Sequence, residues 1–108
     1  MLKKINRIGN RKEFLEVKNN GEMIYSPIFG ALVLKKDDDL KKFGFVISKK
    51  ISKRAVDRNK IKRRMTEVLR DYLDKFENGT RMIFLAKKEI LNKKVEEIEV
   101  EIKKCLKK

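Results

Sequence analysis

The chain contains no histidine and no tryptophan, and only one cysteine and one proline among its 108 residues. Without histidine the usual zinc-binding sets of cysteine and histidine cannot be assembled. General acid–base chemistry would fall to carboxylates or lysines. The lone cysteine, Cys105, excludes an intramolecular disulfide and fits a reducing compartment, so a cytoplasmic location is expected. Apolar runs are short, such as Ala31–Leu34 and Met82–Ala86, far below the roughly 20 residues of a membrane-spanning helix. Lys3, Lys4 and Arg7 are not followed by an apolar stretch, so no secretory signal is expected. Acidic residues are also scarce: sixteen Asp and Glu stand against thirty Lys and Arg, for a formal net charge of +14.

An apolar fraction of 41% is that of a folded domain rather than a disordered basic tail. The length suits one small domain, residues 1–108, with one core. So large an excess of cations implies an anionic partner: RNA, DNA or an acidic membrane surface. The charge is concentrated. Between Lys49 and Arg64, nine of sixteen positions are basic and only Asp57 is acidic. The segment runs into an apolar stripe, Ile61, Met65, Val68, Leu69, Tyr72 and Phe76, which is one face of a helix.

No linker, repeat or low-complexity segment divides the chain. Asn10 as N-cap with Glu13 three positions on predicts a first helix that ends at Asn19-Asn20-Gly21 and carries Phe14 and Val17 on one face. Strands are predicted over Met23–Tyr25, Ile28–Leu34 and Phe43–Ser48. Lys35–Asp39 reads as a polar turn between antiparallel strands. A long helix follows from about Ser52 to Phe76, stopped by Asn78-Gly79. A fourth strand, Arg81–Ala86, precedes a last helix from about Lys93 to Leu106, with Val95, Ile98, Ile102, Cys105 and Leu106 at helical spacing. Cys105 is thus expected in the core. The order α-β-β-β-α-β-α makes the fold class α/β (an α+β two-layer sandwich), a small mixed sheet with packed helices.

On a helix, Arg54, Arg58 and Lys62 form one row, Asn59 and Arg63 a second, Lys60 and Arg64 a third. Like charges at this spacing repel, and cations near a helix N-terminus oppose its dipole. A segment that breaks two stability rules reads as a functional site. Arginine can grip phosphate bidentately, and lysine acts as a mobile point charge. Phe14, Tyr25, Phe29, Phe43, Phe45 and Phe84 sit in apolar surroundings, so core packing is the default. Phe14 is the best candidate for stacking on a base, because its helix also carries Arg11, Lys12 and Lys18. Asp37, Asp38 and Asp39 could be metal ligands of a nuclease, but they lack a second carboxylate cluster and are expected to be solvated.

The run Arg54-Ala55-Val56-Asp57-Arg58-Asn59-Lys60-Ile61-Lys62-Arg63 closely resembles the signature of the bacterial ribonuclease P protein subunit. Leu2–Ile8 resembles that family's basic N-terminal stretch. Glu13-Phe14, Val17 and Gly21 resemble its first helix and turn, and Phe45–Lys50 the strand before the signature. The resemblance implies a left-handed crossover around the basic helix. It implies a protein that binds ribonuclease P RNA and the 5′ leader of precursor tRNA, while the RNA cleaves the leader with the help of divalent metal ions such as magnesium, held mainly by RNA. It calls for no obligate protein partner and no membrane. Carried over by position, Lys49, Lys50, Lys53, Arg54, Arg58, Asn59, Lys60, Lys62 and Arg63 would contact the RNA subunit. Phe14, Lys18, Arg11 and Leu32 would line the leader cleft, with Lys18 and Leu32 at positions often aromatic in the family. Arg64 and Thr66 also depart from its pattern, at positions often apolar and basic respectively.

Three other readings compete: a structural RNA-binding module such as a ribosomal protein, a metal-dependent nuclease using Asp37–Asp39, and a membrane-surface helix. The last conflicts with the need of the basic helix's apolar face for the core. Replacing Arg58 or Arg63 by alanine is expected to weaken RNA assembly while leaving the fold intact.

Overall fold

In the computed structural model, which describes residues 2–106, the chain folds in the order α1 (Arg11–Asn20), β1 (Glu22–Tyr25), β2 (Phe29–Lys35), β3 (Lys42–Val46), α2 (Ala55–Tyr72), β4 (Thr80–Ala86) and α3 (Val95–Leu106). Short 3-10 turns precede α1, follow α2 and precede α3. The helix α1 begins as expected: Asn10 Oδ1 accepts from the Glu13 N–H at 2.9 Å. The Glu13 carboxylate accepts in return from the Asn10 side-chain amide rather than from its backbone. Gly21 ends the helix, its N–H bonded to the Val17 carbonyl. A Cβ there would lie 2.6 Å from that carbonyl oxygen.

The sheet order is β1-β2-β4-β3. β2 pairs antiparallel with β1 and β4, and β3 pairs parallel with β4. The turn after β2 therefore does not join sheet neighbours as the sequence suggested, because β4 lies between β2 and β3. The cause is visible at Gly79. Its carbonyl accepts from Lys36 N and its N–H donates to Leu40 O, each at 2.8 Å, so the 36–40 turn wraps the start of β4. Gly79 has φ +85°, and a Cβ would lie 1.9 Å from Lys36 O, so only glycine fits. Below it, the buried Arg81 guanidinium binds the Asp38 carboxylate and the Leu40 carbonyl. The parallel β3–β4 pair requires a crossover, and α2 supplies it.

Residues alternate between the two faces of the sheet. One face presents Phe29, Ala31, Phe43, Met82 and Phe84, all buried against α2 and α3. α2 contributes Ile61, Met65, Val68 and Leu69, and α3 contributes Ile98, Ile102 and Cys105. The rings of Phe29 and Phe84 meet edge-on with centroids 5.2 Å apart, and Phe43 meets Phe76 at 5.0 Å. On the opposite face α1 covers the end holding Arg81 and Ile83. Val17 is buried there, Glu13 pairs with Lys42 at 2.9 Å, and Glu16 pairs with Lys36 at 2.8 Å. The N-terminal segment adds to the β3 edge by a parallel bridge from Arg7 to Phe43. No helix among the described residues is long and apolar enough to cross a membrane.

Candidate nucleic-acid interface

The basic segment divides into a loop and a helix. The sequence placed the helix start near Ser52, but α2 begins at Ala55, with Arg54 as an N-cap that makes no side-chain cap. Lys49, Lys50 and Lys53 therefore stand on the preceding loop rather than on the helix. Three hydrogen bonds and the burial of Ile51 hold that loop in shape. Ile51 is buried, and its N–H donates to Ser48 O at 3.0 Å. The Ser52 hydroxyl donates to Asp57 at 2.9 Å, and Arg58 Nη1 donates to Ser52 O at 2.8 Å. Asp57, the one acidic residue of the cluster, occupies the first turn of α2, where its charge also favours the helix dipole.

Arg58 is consequently not the freely exposed cation the sequence suggested. It is half-buried and ties the loop to the helix. Arg64 is likewise half-buried, its Nη1 donating to Lys93 O at 2.7 Å across to the segment before α3. This gives a role to the departure at that position: the cation joins α2 to the rest of the fold. Thr66 is buried. Arg54, Asn59, Lys60, Lys62 and Arg63 are exposed, as are the three loop lysines. Asn59, Lys62, Arg63 and Arg70 line an open groove of about 690 Å³ along the outer side of α2, together with Val56, Thr66 and Glu67.

A second cleft, of about 520 Å³, lies at the β3 edge between the N-terminal segment, α1 and α2. Its walls include Arg7, Asn10, Arg11 and Phe14 on one side and Lys62 and Thr66 on the other, with Phe43, Gly44 and Phe45 between. The structure thus brings together Arg11 and Phe14, two of the four expected leader-cleft residues. Lys18 is exposed one turn further along α1, and Leu32 is half-buried on β2, cross-strand from Met23 and Ile83. Neither lines this cleft. Sequence reading missed Arg7 and the double position of Lys62, which borders both grooves. Arg7 reaches the site only through the bridge to β3, which pairs residues 36 positions apart and leaves no local signal.

The aromatic expectation holds for Phe29, Phe43 and Phe84, which are buried, while Phe14 and Phe45 are half-buried. It fails for Tyr25, which is 76% exposed. The three aspartates are not an unengaged cluster either, because Asp38 is bound to Arg81. That guanidinium holds the Asp38 carboxyl below its usual range.

Residues 2–108 match the family model described as Ribonuclease P. The ribonuclease P protein component of Desulfosudis oleivorans is 34% identical over 97 residues, covering 90% of this chain and 79% of that protein. That of Clostridium botulinum is 31% identical over 106 residues, covering 97% of this chain and 95% of that protein. The fold agrees with solved structures. The RNase P protein of Staphylococcus aureus superposes with a TM-score of 0.83 at 24% identity, covering 96% of this chain and 94% of that one. The RNase P protein of Thermotoga maritima also gives 0.83, at 23% identity, covering 94% of each chain. With the basic helix, its strand–helix–strand setting and these relatives in agreement, the chain belongs to the ribonuclease P protein family, the protein subunit of an RNA-based endoribonuclease and the partner of ribonuclease P RNA.

Proposed function

We propose that this subunit docks on its RNA through the 49–53 loop and the exposed rows of α2, and holds the 5′ leader of precursor tRNA in the cleft beside Phe14, so that the RNA removes the leader and leaves the mature tRNA 5′ end. One observation carries the docking surface. Among the described residues seven ion pairs form, and none engages Lys49, Lys50, Lys53, Arg54, Lys60, Lys62 or Arg63. Carboxylates neutralise cations elsewhere and leave this cluster uncompensated. Phosphates are the chemically matched counter-charge, gripped bidentately by Arg54 and Arg63 and at longer reach by the lysines.

The second cleft suits an unpaired strand. Phe14 offers a ring face, and Arg7, Arg11 and Lys62 offer charge along the backbone path. Lys62 borders both grooves, so a strand in the cleft would lie against the RNA-docking helix. The chemistry rests with the RNA and with divalent ions, magnesium foremost, that it holds. The protein lowers the repulsion between the two RNAs and positions the leader.

The test is cleavage of a 5′-extended precursor tRNA at low magnesium by the protein alone, by a bacterial ribonuclease P RNA alone, and by the two together. Cleavage at the mature 5′ end only in the mixture is the expected result. Cleavage by the protein alone, or no stimulation of a functional RNA, would overturn the assignment.

A further inference from the structure

The two grooves that Lys62 borders lie along the outer side of α2 and on its flank facing β3. Lys60 stands on the other flank, about 200° around the helix at 3.6 residues per turn. There Lys60 and Arg64, one turn apart, line a third groove, of about 320 Å³. It runs between α2 and the segment that leads into α3, and Leu91, Asn92 and Lys94 form its far wall. The two walls are tied at one point, where Arg64 Nη1 donates to the Lys93 carbonyl at 2.7 Å.

That bond occupies one nitrogen of the guanidinium, and no carboxylate among the described residues forms an ion pair with the rest of it. An arginine that is half-buried and fixed at one end has already lost side-chain freedom, so less is given up when it grips a ligand. Across the groove Lys94 stands on fixed backbone, its carbonyl accepting from the Glu97 and Ile98 N–H groups, each at 3.1 Å. Neither Lys60 nor Lys94 enters an ion pair among the described residues. The carboxylates at hand are engaged elsewhere: Asp57, which also lines the groove, accepts from the Ser52 hydroxyl, and Glu97 pairs with Lys93. Three cations against one carboxylate leave the groove positive. A tie between α2 and this segment needs one N–H donor. It does not need a full charge beside two further cations, whose mutual repulsion opposes it.

We infer that this groove holds a phosphodiester of ribonuclease P RNA, gripped by the remaining N–H groups of Arg64 and by Lys60 and Lys94. The occupant is the RNA subunit rather than the leader, because the body of α2 separates the groove from the cleft beside Phe14. The inference rests on the docking surface proposed above and extends it from α2 to the segment before α3. The extension has a mechanical consequence. Contact along one helix leaves rotation about that helix weakly determined, and a second element fixes it.

The test is a salt titration of the intact protein binding to ribonuclease P RNA, with Lys94→Ala as the probe because its side chain enters no ion pair of the fold. Lys94→Ala should flatten the log–log slope of affinity against salt by about 0.7–0.9, one lost phosphate contact, so that its deficit against wild type shrinks about threefold from 50 to 200 mM. Lys88→Ala removes an exposed lysine that precedes the same segment but lies outside the groove, and should keep the wild-type slope. Phosphate-ethylation interference on the RNA locates the contact: Lys94→Ala should lose one position of interference that Lys62→Ala retains. Equal slopes in Lys94→Ala and Lys88→Ala would overturn the groove and leave the docking surface standing. A slope unchanged in Arg63→Ala as well would overturn the docking surface itself. The same flattening by Lys94→Ala on an unrelated duplex RNA would show an unspecific phosphate site and overturn the assignment to ribonuclease P RNA.

Discussion

At the scale of single residues, two side chains show how a charge that looks functional can be structural. Arg58 belongs to the signature by position, yet one of its guanidinium nitrogens is committed to the Ser52 carbonyl. Arg58→Ala should therefore loosen the loop that presents Lys49, Lys50 and Lys53. It is expected to destabilise the free protein by about 1 kcal/mol, the typical worth of one such hydrogen bond. Arg63→Ala, exposed and free of any ion pair, should leave stability within about 0.5 kcal/mol of wild type. Thermal melts of both variants without RNA check this, and equal stability of the two would show that the Arg58 bond contributes nothing. Asp38 is the converse case. The sequence shows three aspartates in a row, and its partner Arg81 lies 43 residues away, so nothing local marks the middle one as special. Its folded-state pKa is depressed by the Arg81 hydrogen bond. The stability it contributes is present above the unfolded carboxyl pKa of about 4 and is lost as the pH falls through the lower folded value. Asp38→Asn should therefore melt below wild type at pH 6, and the gap should close as the pH is brought well below 4. A gap that is independent of pH would mean that the pair does not set it.

At the scale of elements, legibility followed the range of the forces involved. The stripe Ile61, Met65, Val68, Leu69 was readable because a helix repeats its own neighbours, and all four are buried. Met65→Asp or Leu69→Asp places an unpaired charge in that interior and should unfold the domain, seen as loss of the cooperative melt. The capping of α1 was readable for the same reason of short range. The start of α2 was misread by three residues because basic residues continue through the loop, and only the contacts of Ser52 separate loop from helix. Strand order was not readable. A polar turn between two apolar runs predicts a hairpin, but β4 intervenes, and the choice between the two is made by contacts that sequence periodicity does not carry. Gly79 is the one local residue that records the outcome. Gly79→Ala would need both a left-handed backbone and space already held by the Lys36 carbonyl. It is expected to cost about 1–3 kcal/mol or more, and a wild-type melting temperature in this variant would mean that the notch can open freely.

At the scale of the whole molecule, the distribution of charge matters more than its sum. Carboxylates pair with lysines along α1, α3 and the sheet end, while the 49–64 segment keeps its cations unpaired. The free protein then carries the self-repulsion of that segment, which salt relieves, because the Debye length falls from about 30 Å at 0.01 M to about 10 Å at 0.1 M. The complex with RNA responds oppositely, because bound phosphates release counterions and added salt reverses that gain. One surface therefore predicts two trends of opposite sign. From 20 to 300 mM monovalent salt the melting temperature of the free protein should rise, while its affinity for ribonuclease P RNA should fall linearly on a log–log plot. Arg63→Ala tests that the same cations cause both. It should flatten the binding slope by about 0.7–0.9, the value of one lost phosphate contact, and it should also reduce the salt-dependent rise in melting temperature. A variant that altered the binding slope but left the free protein's salt response unchanged would separate the docking surface from the source of the repulsion.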